Sequence, residues 1–450
     1  MHAFNLLALL PLVAGHTLMT TLYVDGENQG DGVCIRQNRN PDKATFPIEP
    51  LANDAMACGF NGETASSRIC PASQNSTLTF EYRRYPDGSQ PGSIDISHKG
   101  PCAVYMKPVA DAAADNNAAG GGWFKIYEMD YDESTSQWCT EKLIENNGFL
   151  SVAVPEGIAG GDYLVRTELL ALHAAQDSPP DPQFYVGCAQ VFIDAPEGGA
   201  VPEGVVIDST TYDLSIKGLT YNLYATPLEL PYPSIGPSVY RPSTAVAKSA
   251  NSEEAVQSKG LQPKGCILVR DDWCGFEVPS YSDQDGCWAS SKKCWDQADV
   301  CWNTAPPTGN KNCQIWSDKC TNIDDQCTAG NWNGPPNKGK VLTPTYKTVG
   351  GSLAEFSGGE SSSDYEGSSA SSSSNSDSSS DSKSSSSESA STSTSTTTSA
   401  STSTTAEVAA QVAVAATTSD AAPTAETSTT SRSGHGGRCK AKKSRRSHRA

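Results

Sequence analysis

The sequence has few positive charges, no long apolar run and no esterase motif, and each of these absences argues against a class of function. Its 450 residues carry 33 Lys and Arg against 51 Asp and Glu, a net charge of −18, which argues against nucleic acid and anionic membrane surfaces as partners. No apolar stretch approaches the length that spans a bilayer, so we expect no membrane-embedded segment. The chain also lacks the Gly-x-Ser-x-Gly motif of esterases. Its many carboxylates stand in no pattern that marks the two acids of a glycosidase.

The first residues are typical of a secretory signal. Leu6–Val13 is an apolar run of the length found in signal h-regions, and small residues follow it at positions 13–15, where a signal peptidase could cut. We therefore predict a signal peptide over 1–15 and a secreted, extracellular protein. Fifteen cysteines agree with an oxidising compartment and a disulfide framework.

Composition divides the rest of the chain into five segments. The segments near the C-terminus contain too few apolar groups to offset the entropy of ordering. Cys439 stands alone there, and we expect it to be the unpaired cysteine. The predicted segments are a globular domain over 16–240, a linker over 241–263, a Cys/Trp-rich module over 264–332, a disordered Ser/Thr-rich region over 333–431 and a basic tail over 432–450.

The residue pattern of the globular segment predicts an all-β fold. Polar and apolar residues alternate over Thr77–Tyr82, as in a half-buried strand, and similar runs recur between Gly-, Pro- and Asn-rich turns. Short strands joined by long loops predict a β-sandwich, with one helical turn around 132–144. Asn75 begins a sequon and is predicted to be glycosylated on an exposed turn. The other predicted strands are 102–106, 161–166, 169–172, 184–186 and 191–193.

Only three histidines fall within the globular segment: His16, His98 and His173. Cleavage after position 15 would make His16 the first residue, and its α-amine and imidazole could then chelate one metal ion together. Imidazole suits copper, zinc, iron and nickel, and a planar set of nitrogen ligands favours Cu(II). A histidine in a turn, such as His98, is nevertheless usually a solvated surface residue. From the residues alone, copper, zinc and no metal all remain open.

Four motifs in order resemble the fungal copper-dependent lytic polysaccharide monooxygenases of auxiliary activity family nine, formerly glycoside hydrolase family sixty-one. They are the N-terminal His16 and the segments SHKGPCAVYM, GDYLVRTELLALHAAQ and QFYVGCAQV, and the likeness runs to about position 240. The resemblance implies an immunoglobulin/fibronectin-like sandwich that presents one copper ion on a flat face. It implies a monomeric enzyme that cleaves β-1,4-glucan, above all cellulose, at C1, C4 or both. The co-substrate would be O2 or H2O2, and the external electron donor a small molecule or a protein.

The resemblance also assigns residues by position. His16 would bind copper through its amine and its ring, His98 would add a third nitrogen, and Tyr185 matches the axial tyrosine. His173 and Gln183 match the pair that hydrogen-bonds the oxygen co-substrate. Both members of the pair are present, which favours an enzyme over the alternatives. These are a non-catalytic copper-binding or carbohydrate-binding cell-wall protein of the same fold, and a hydrolytic endoglucanase.

Other assignments stay less defined. Cys58 and Cys188 match a disulfide that is widespread in the family. Tyr232 or Tyr240 could contact glucan, although each could equally be a buried packing tyrosine. Four further cysteines must pair among themselves, and the sequence leaves their pairing open: 34, 70, 102 and 139.

In the Cys/Trp-rich module, six cysteines recur with a step of seven. Because seven residues return to nearly the same helix face, we predict two antiparallel helices, 284–303 and 311–328. Three disulfide rungs would join them, with Cys266–Cys274 closing a loop ahead of the first helix. The predicted rungs are Cys287–Cys327, Cys294–Cys320 and Cys301–Cys313.

Three tryptophans share this step, since Trp288, Trp295 and Trp302 each follow a cysteine. They could stack on sugar rings or simply pack over the disulfides. The glycine-rich motif of the small fungal cellulose-binding module is missing from the segment.

Overall fold

The computed structural model describes residues 16–196, 199–242 and 255–345. The predicted signal peptide, the basic tail and Cys439 lie outside the described residues. So does nearly all of the segment predicted to be disordered.

Two β-sheets form the first part of the chain. The smaller sheet has the strand order β10-β5-β1-β2 and is antiparallel throughout. Its strands are β1 (Leu18–Val24), β2 (Glu27–Asp31), β5 (Thr77–Arg83) and β10 (Phe149–Ala153).

The larger sheet has seven strands in the order β13-β7-β6-β11-β12-β3, with β4 paired in parallel to β12. Its central strands β11 and β12 pair without a shift in register from Gly161 to Ala171. The strands are β3 (Ile35–Arg36), β4 (Cys70–Ser73), β6 (Cys102–Pro108), β7 (Gly120–Met129), β11 (Gly161–Ala171), β12 (Gln183–Asp194) and β13 (Val205–Ile207).

The larger sheet is buried on both faces. Val165 and Leu169 of β11 enter the core shared with Leu22 and Phe80 of the smaller sheet. Leu164, from the same strand, points into a second apolar cluster that long loops contribute to. Successive side chains of a strand point to opposite faces, so loops must cover the outer face of this sheet. The predicted sandwich with long loops is confirmed.

The strand predictions at 77–82, 102–106 and 161–166 are confirmed, and 184–186 and 191–193 belong to one continuous strand, β12. Two features differ from the predictions. β7 was not predicted, because its first three residues are glycines. The short helix α1 (Cys139–Glu145) begins later than expected, because two-residue strands β8 (Tyr131–Asp132) and β9 (Gln137–Trp138) pair ahead of it.

Three disulfides cross-link this part of the protein. Cys58 pairs with Cys188, as the family resemblance implied. The four cysteines that the sequence left open form Cys34–Cys70 and Cys102–Cys139. Asn75 is exposed in the turn before β5, the surface position expected of a glycosylated asparagine.

The Cys/Trp-rich module consists of a β-hairpin and a helical hairpin. The strands are β14 (Cys266–Arg270) and β15 (Trp273–Phe276), and the helices are α2 (Gln284–Asn303) and α3 (Lys311–Thr328). All three predicted rungs and the Cys266–Cys274 bridge are confirmed. Trp316 is fully buried against Trp273, with ring centroids 5.5 Å apart. In so small a core, disulfides supply much of the stability.

Segments on both sides of the predicted module also make ordered contacts. Ile69 donates its backbone N–H to Gly260 (3.0 Å), so the end of the predicted linker packs on the sandwich. After the predicted end at 332, Leu342 donates its N–H to Ile267 (2.6 Å). Composition did not reveal these contacts, because backbone hydrogen bonds make part of them; Leu342 also packs against the core of the module. No helix among the described residues is long and apolar enough to cross a membrane.

The module docks directly on the sandwich through its hairpin turn. Arg39 forms ion pairs with Asp271 (2.8 Å) and Asp272 (3.0 Å). Asp272 also accepts hydrogen bonds from Ser66 Oγ (2.7 Å) and the Ser67 backbone (2.8 Å). Thr308, in the turn between α2 and α3, makes a second contact by donating its hydroxyl hydrogen to Gln37 Oε1 (3.4 Å). The module is therefore attached by more than the covalent linker.

Candidate metal centre

Three segments bring the predicted ligands together. His16 directly precedes β1, His98 lies in the loop between β5 and β6, and Tyr185 is the third residue of β12. The ring centroids of His16 and His98 are 6.3 Å apart at an interplanar angle of 76°. The Tyr185 ring lies 6.1 Å from His16 and 5.9 Å from His98. Residues distant in sequence thus converge at one end of the sandwich.

One ring nitrogen of each of these two histidines is buried without a hydrogen-bond partner: Nδ1 of His16 and Nε2 of His98. The other nitrogen of His98, Nδ1, lies 3.1 Å from Ser97 Oγ. An unsatisfied buried polar atom costs about 1–3 kcal/mol, and native proteins rarely retain one without a reason. A metal ion between the two nitrogens would satisfy both. The donor set therefore fits a metal.

Burial also keeps these imidazoles uncharged. It is the main cause that lowers the pKa of His98 to about 4, and the charge of His173 adds to the effect. Burial and then His173 likewise lower the pKa of His16. A metal-ligating imidazole must be unprotonated. Both rings meet that requirement at neutral pH.

The described residues hold no group of three or more His, Cys, Asp or Glu side chains suited to a metal ion. Two imidazoles are thus the nitrogen ligands that the described side chains offer here. An α-amine on His16, present if residues 1–15 were removed as the sequence predicts, would add a third nitrogen.

The phenol of Tyr185 is buried and held in place by Gln183. Tyr185 donates its hydroxyl hydrogen to Gln183 Oε1 (3.0 Å), and Gln183 Nε2 donates to Asp181 (2.9 Å). Burial, followed by the negative charges of Asp181 and Glu49, raises the pKa of Tyr185 well above its usual value. The group is a neutral phenol, so it offers a metal a weak oxygen donor.

His173 completes the cluster. Its ring centroid lies 4.2 Å from that of His98, and its Nδ1 is buried without a partner. Burial lowers the pKa of His173, although Asp181 and Asp177 oppose the shift. A neutral imidazole with an uncommitted nitrogen can give or accept one hydrogen bond beside the metal centre.

The loop that carries His98 is fixed from several sides. Gly100 exchanges hydrogen bonds with Thr140 of α1 (3.0 and 3.2 Å), and the Cys102–Cys139 disulfide lies directly beside them. A Cβ at Gly100 would overlap the backbone oxygen of Leu170, so only glycine allows this close approach. The position of His98 depends on these contacts.

Two aromatic residues that the sequence analysis missed flank the histidines. Phe46 is 45% exposed and its ring lies 4.6 Å from that of His16. Tyr224 is 64% exposed and donates its hydroxyl hydrogen to the backbone oxygen of His173 (3.2 Å). Both lie in loops without regular secondary structure, where no periodic pattern signals exposure.

The two tyrosines suggested as glucan contacts lie elsewhere. Tyr232 is 4% exposed, donates to the Gly218 backbone oxygen (2.9 Å) and packs against Trp138. Tyr232 thus packs in the interior, which is the alternative that the sequence left open. Tyr240 is half-buried against Phe124, with ring centroids 5.6 Å apart, and no contact links it to the histidines.

Comparison with known proteins agrees with the motifs. The family model for Auxiliary Activity family 9 (formerly GH61) matches residues 16–232. The chain is 71% identical over 373 residues to AA9 family lytic polysaccharide monooxygenase A of Emericella nidulans, a match that covers 82% of this chain and 65% of that protein. It is 62% identical over 354 residues to AA9 family lytic polysaccharide monooxygenase C of Aspergillus tamarii, covering 78% of this chain and 95% of that protein.

The chain thus spans just under two thirds of the first relative and nearly all of the second. Among solved structures, CvAA9A is 33% identical with a TM-score of 0.44, and the match covers 50% of this chain and 98% of that one. The chain belongs to auxiliary activity family 9, the lytic polysaccharide monooxygenases, which are copper-dependent oxidoreductases.

Proposed function

We propose that this protein is a secreted, copper-dependent monooxygenase that cleaves β-1,4-glucan, with cellulose as its substrate, at C1, C4 or both. The observation that carries the proposal is the pair of buried, unpartnered nitrogens, Nδ1 of His16 and Nε2 of His98. The ring of Tyr185 lies 6.1 Å from that of His16 and 5.9 Å from that of His98. Removal of residues 1–15 is part of the proposal.

Copper would be held by three nitrogens and one weak oxygen. The amine and Nδ1 of His16 would chelate the ion, His98 would add Nε2, and Tyr185 would offer its hydroxyl oxygen. Neutral imidazoles suit copper in both of its oxidation states. Bound there, copper would supply the one-electron chemistry that lets O2 or H2O2, with an external electron donor, remove a hydrogen next to the glycosidic bond.

His173 and Gln183 would position the co-substrate. His173 has an uncommitted, neutral nitrogen beside the His98 ring, so it can hydrogen-bond a small oxygen species. Gln183 is clamped between Tyr185 and Asp181, which fixes the orientation of its amide. Groups held in place before the reaction stabilise developing charge without reorganising.

The substrate would lie across an open surface rather than in a cleft. Phe46 and Tyr224 are exposed on either side of the histidines, one against the His16 ring and the other at the His173 backbone. Aromatic rings bring a large apolar area, and tyrosine adds a polar end. This pair suits stacking on sugar rings of a chain laid over the metal centre.

A hydrolytic endoglucanase fits the site less well. A glycosidase needs a carboxylic acid whose pKa is raised so that it can donate a proton. Asp95 stands beside the His98 loop, and hydrogen bonds from Ser97 lower its pKa instead. A non-catalytic copper protein of the same fold would have no use for His173 and Gln183 beside the ligands.

The test is an analysis of products. Mature protein loaded with copper is incubated with amorphous cellulose, with and without ascorbate, and the soluble products are analysed by mass spectrometry. The proposal expects oxidised oligosaccharides only with reductant and none from His98→Ala. Their masses and fragmentation would separate C1 from C4 attack. Unoxidised oligosaccharides formed without reductant would overturn the proposal in favour of a hydrolase.

A further inference from the structure

Three tryptophans lie in a row along α2, in the module that the proposed reaction does not use. Trp288 is 42% exposed, Trp302 is 38% exposed and Trp295 is half-buried between them. Each step of seven residues is about two helical turns, or ~10.5 Å along the axis. The row therefore spans roughly 21 Å.

The row lies at the seam between the two helices. The indole N–H of Trp295 bonds Asp324 (2.9 Å) and that of Trp302 bonds Ser317 (3.0 Å), both on α3. The β-hairpin instead contacts α2 at Gln297, which exchanges hydrogen bonds with Phe276 (2.8 and 3.0 Å). Residue 297 is two positions from 295 and so lies on nearly the opposite face of the helix.

The core of the module does not require the two outer rings, Trp288 and Trp302, whereas Trp295 packs partly against it. The disulfides fill the space between the helices, and Trp316 and Ile323, both fully buried, complete the packing. Trp288 and Trp302 leave much of their surface exposed to water, so they contribute less hydrophobic stabilisation to the fold than buried tryptophans would. Two of the three rings are also fixed by their N–H groups, so little side-chain entropy remains to be lost on binding.

We propose that Trp288, Trp295 and Trp302 form a binding face for one extended β-1,4-glucan chain, separate from the metal centre. The ~10.5 Å step is close to the length of two β-1,4-linked glucose units, after which an extended chain presents the same sugar face again. Each ring would therefore meet an equivalent sugar. The choice of glucan rests on the proposed function, whereas the existence of the binding face does not.

The charge of the module favours an uncharged polymer. Between 264 and 332 there are ten Asp and Glu and six Lys and Arg, so the segment repels polyanions. Stacking on neutral sugar needs no charge partner, and binding should not depend on ionic strength. This separates the tryptophan row from the basic C-terminal segment, whose attachment to a surface would weaken in salt.

Because the module is docked on the sandwich, a glucan bound to the tryptophan row would also be held near the metal centre. Arg39, which pairs with Asp271 and Asp272, belongs to the segment that continues to Phe46 at the metal centre. A glucan held on α2 would keep the sandwich at the polymer surface, which raises the effective concentration of substrate.

The experiment measures adsorption of full-length mature protein, stripped of copper, to insoluble cellulose at low and high salt. The proposal predicts binding that is equal in both salts and weakened about tenfold for each exposed ring removed, in Trp288→Ala and Trp302→Ala, as for typical aromatic hot spots. Phe276→Ala is the matched control, because this ring is 41% exposed but lies off the row. It should bind like the wild type.

Several results would overturn the proposal. They are unchanged adsorption of a variant that combines Trp288→Ala with Trp302→Ala, an equal loss in Phe276→Ala, or tryptophan-dependent binding to chitin or xylan but not to cellulose. Thermal unfolding and disulfide mapping of each variant exclude misfolding as the cause of a loss. Oxidation of amorphous cellulose by copper-loaded protein with ascorbate is followed in parallel. If the wild type oxidises nothing yet adsorbs through its tryptophans, the proposed function fails and the binding face stands.

Discussion

Two disulfides allow stability and metal binding to be separated in one experiment. Cys34–Cys70 and Cys102–Cys139 join residues 36 and 37 positions apart. In the chain-entropy description, a disulfide that closes a loop of this size lowers the conformational entropy of the unfolded chain. This stabilises the folded protein by about 3.9 kcal/mol at 25 °C. Replacing either pair by serine should therefore lower the free energy of unfolding by nearly the same amount.

Their positions differ with respect to the metal centre. Cys102–Cys139 lies beside the hydrogen bonds that join Gly100 to Thr140 and so fix the His98 loop. Cys70 of β4 lies opposite Val191 of β12 where these two strands are paired. That residue is six positions beyond Tyr185, or roughly 20 Å at 3.3 Å per residue.

We therefore expect Cys102→Ser/Cys139→Ser to weaken copper binding about tenfold, a loss of ~1.4 kcal/mol in preorganisation of His98. Cys34→Ser/Cys70→Ser should bind copper like the wild type. Urea unfolding followed by circular dichroism gives the stability of each variant, and competition calorimetry gives the copper affinity. Equal copper affinities in the two variants would refute the idea that the α1 contacts position His98. A stability loss confined to one of them would instead contradict the chain-entropy estimate for the two loops.

Three further predictions concern the metal centre and the docked module. Tyr185→Phe removes the hydroxyl that bonds Gln183, so product yield should fall severalfold while calorimetry shows copper affinity reduced less than tenfold; a larger loss of affinity would mean that the phenol is a main ligand. Because the pKa of His98 is about 4, its ring stays neutral as pH falls to 5, whereas an α-amine titrates near ~7.7–8.0; copper binding should weaken about tenfold per pH unit below that value, and a flat profile would argue against the amine as a ligand. Asp272→Ala removes charge-assisted bonds to Arg39 and two serines, so urea unfolding should show a loss of about 2 kcal/mol; an unchanged midpoint would show that the docking contact contributes nothing.

Much of the metal centre could be predicted from the sequence because histidine is rare in it. Only three histidines fall in the globular segment, and the structure brings all three together. Phe46 and Tyr224 could not be found in the same way. Their role depends on exposure beside the histidines, and exposure is set by how irregular loops fold back. The burial of Tyr232 could not be decided from the sequence for the same reason, since only the packing around Trp138 reveals it.

The fold was predictable where a period was present. The step of seven gave both helices of the module and all three rungs, because disulfide geometry and helix periodicity constrain each other. Alternation predicted β5, and runs of apolar residues between turns predicted β6 and β11. β7 begins with three glycines, which carry no side-chain pattern, and the segments at 255–263 and 333–345 are held in part by backbone hydrogen bonds that composition does not report.

The central claim is that the amine of His16 completes the metal centre. Copper titration by calorimetry of the mature protein, compared with a form carrying one additional alanine before His16, tests it most directly. The extension leaves both imidazoles in place and converts the amine into an amide. We predict one copper ion per chain for the mature protein and an affinity at least about a hundredfold weaker for the extended form. Equal affinity in the two forms would contradict the account.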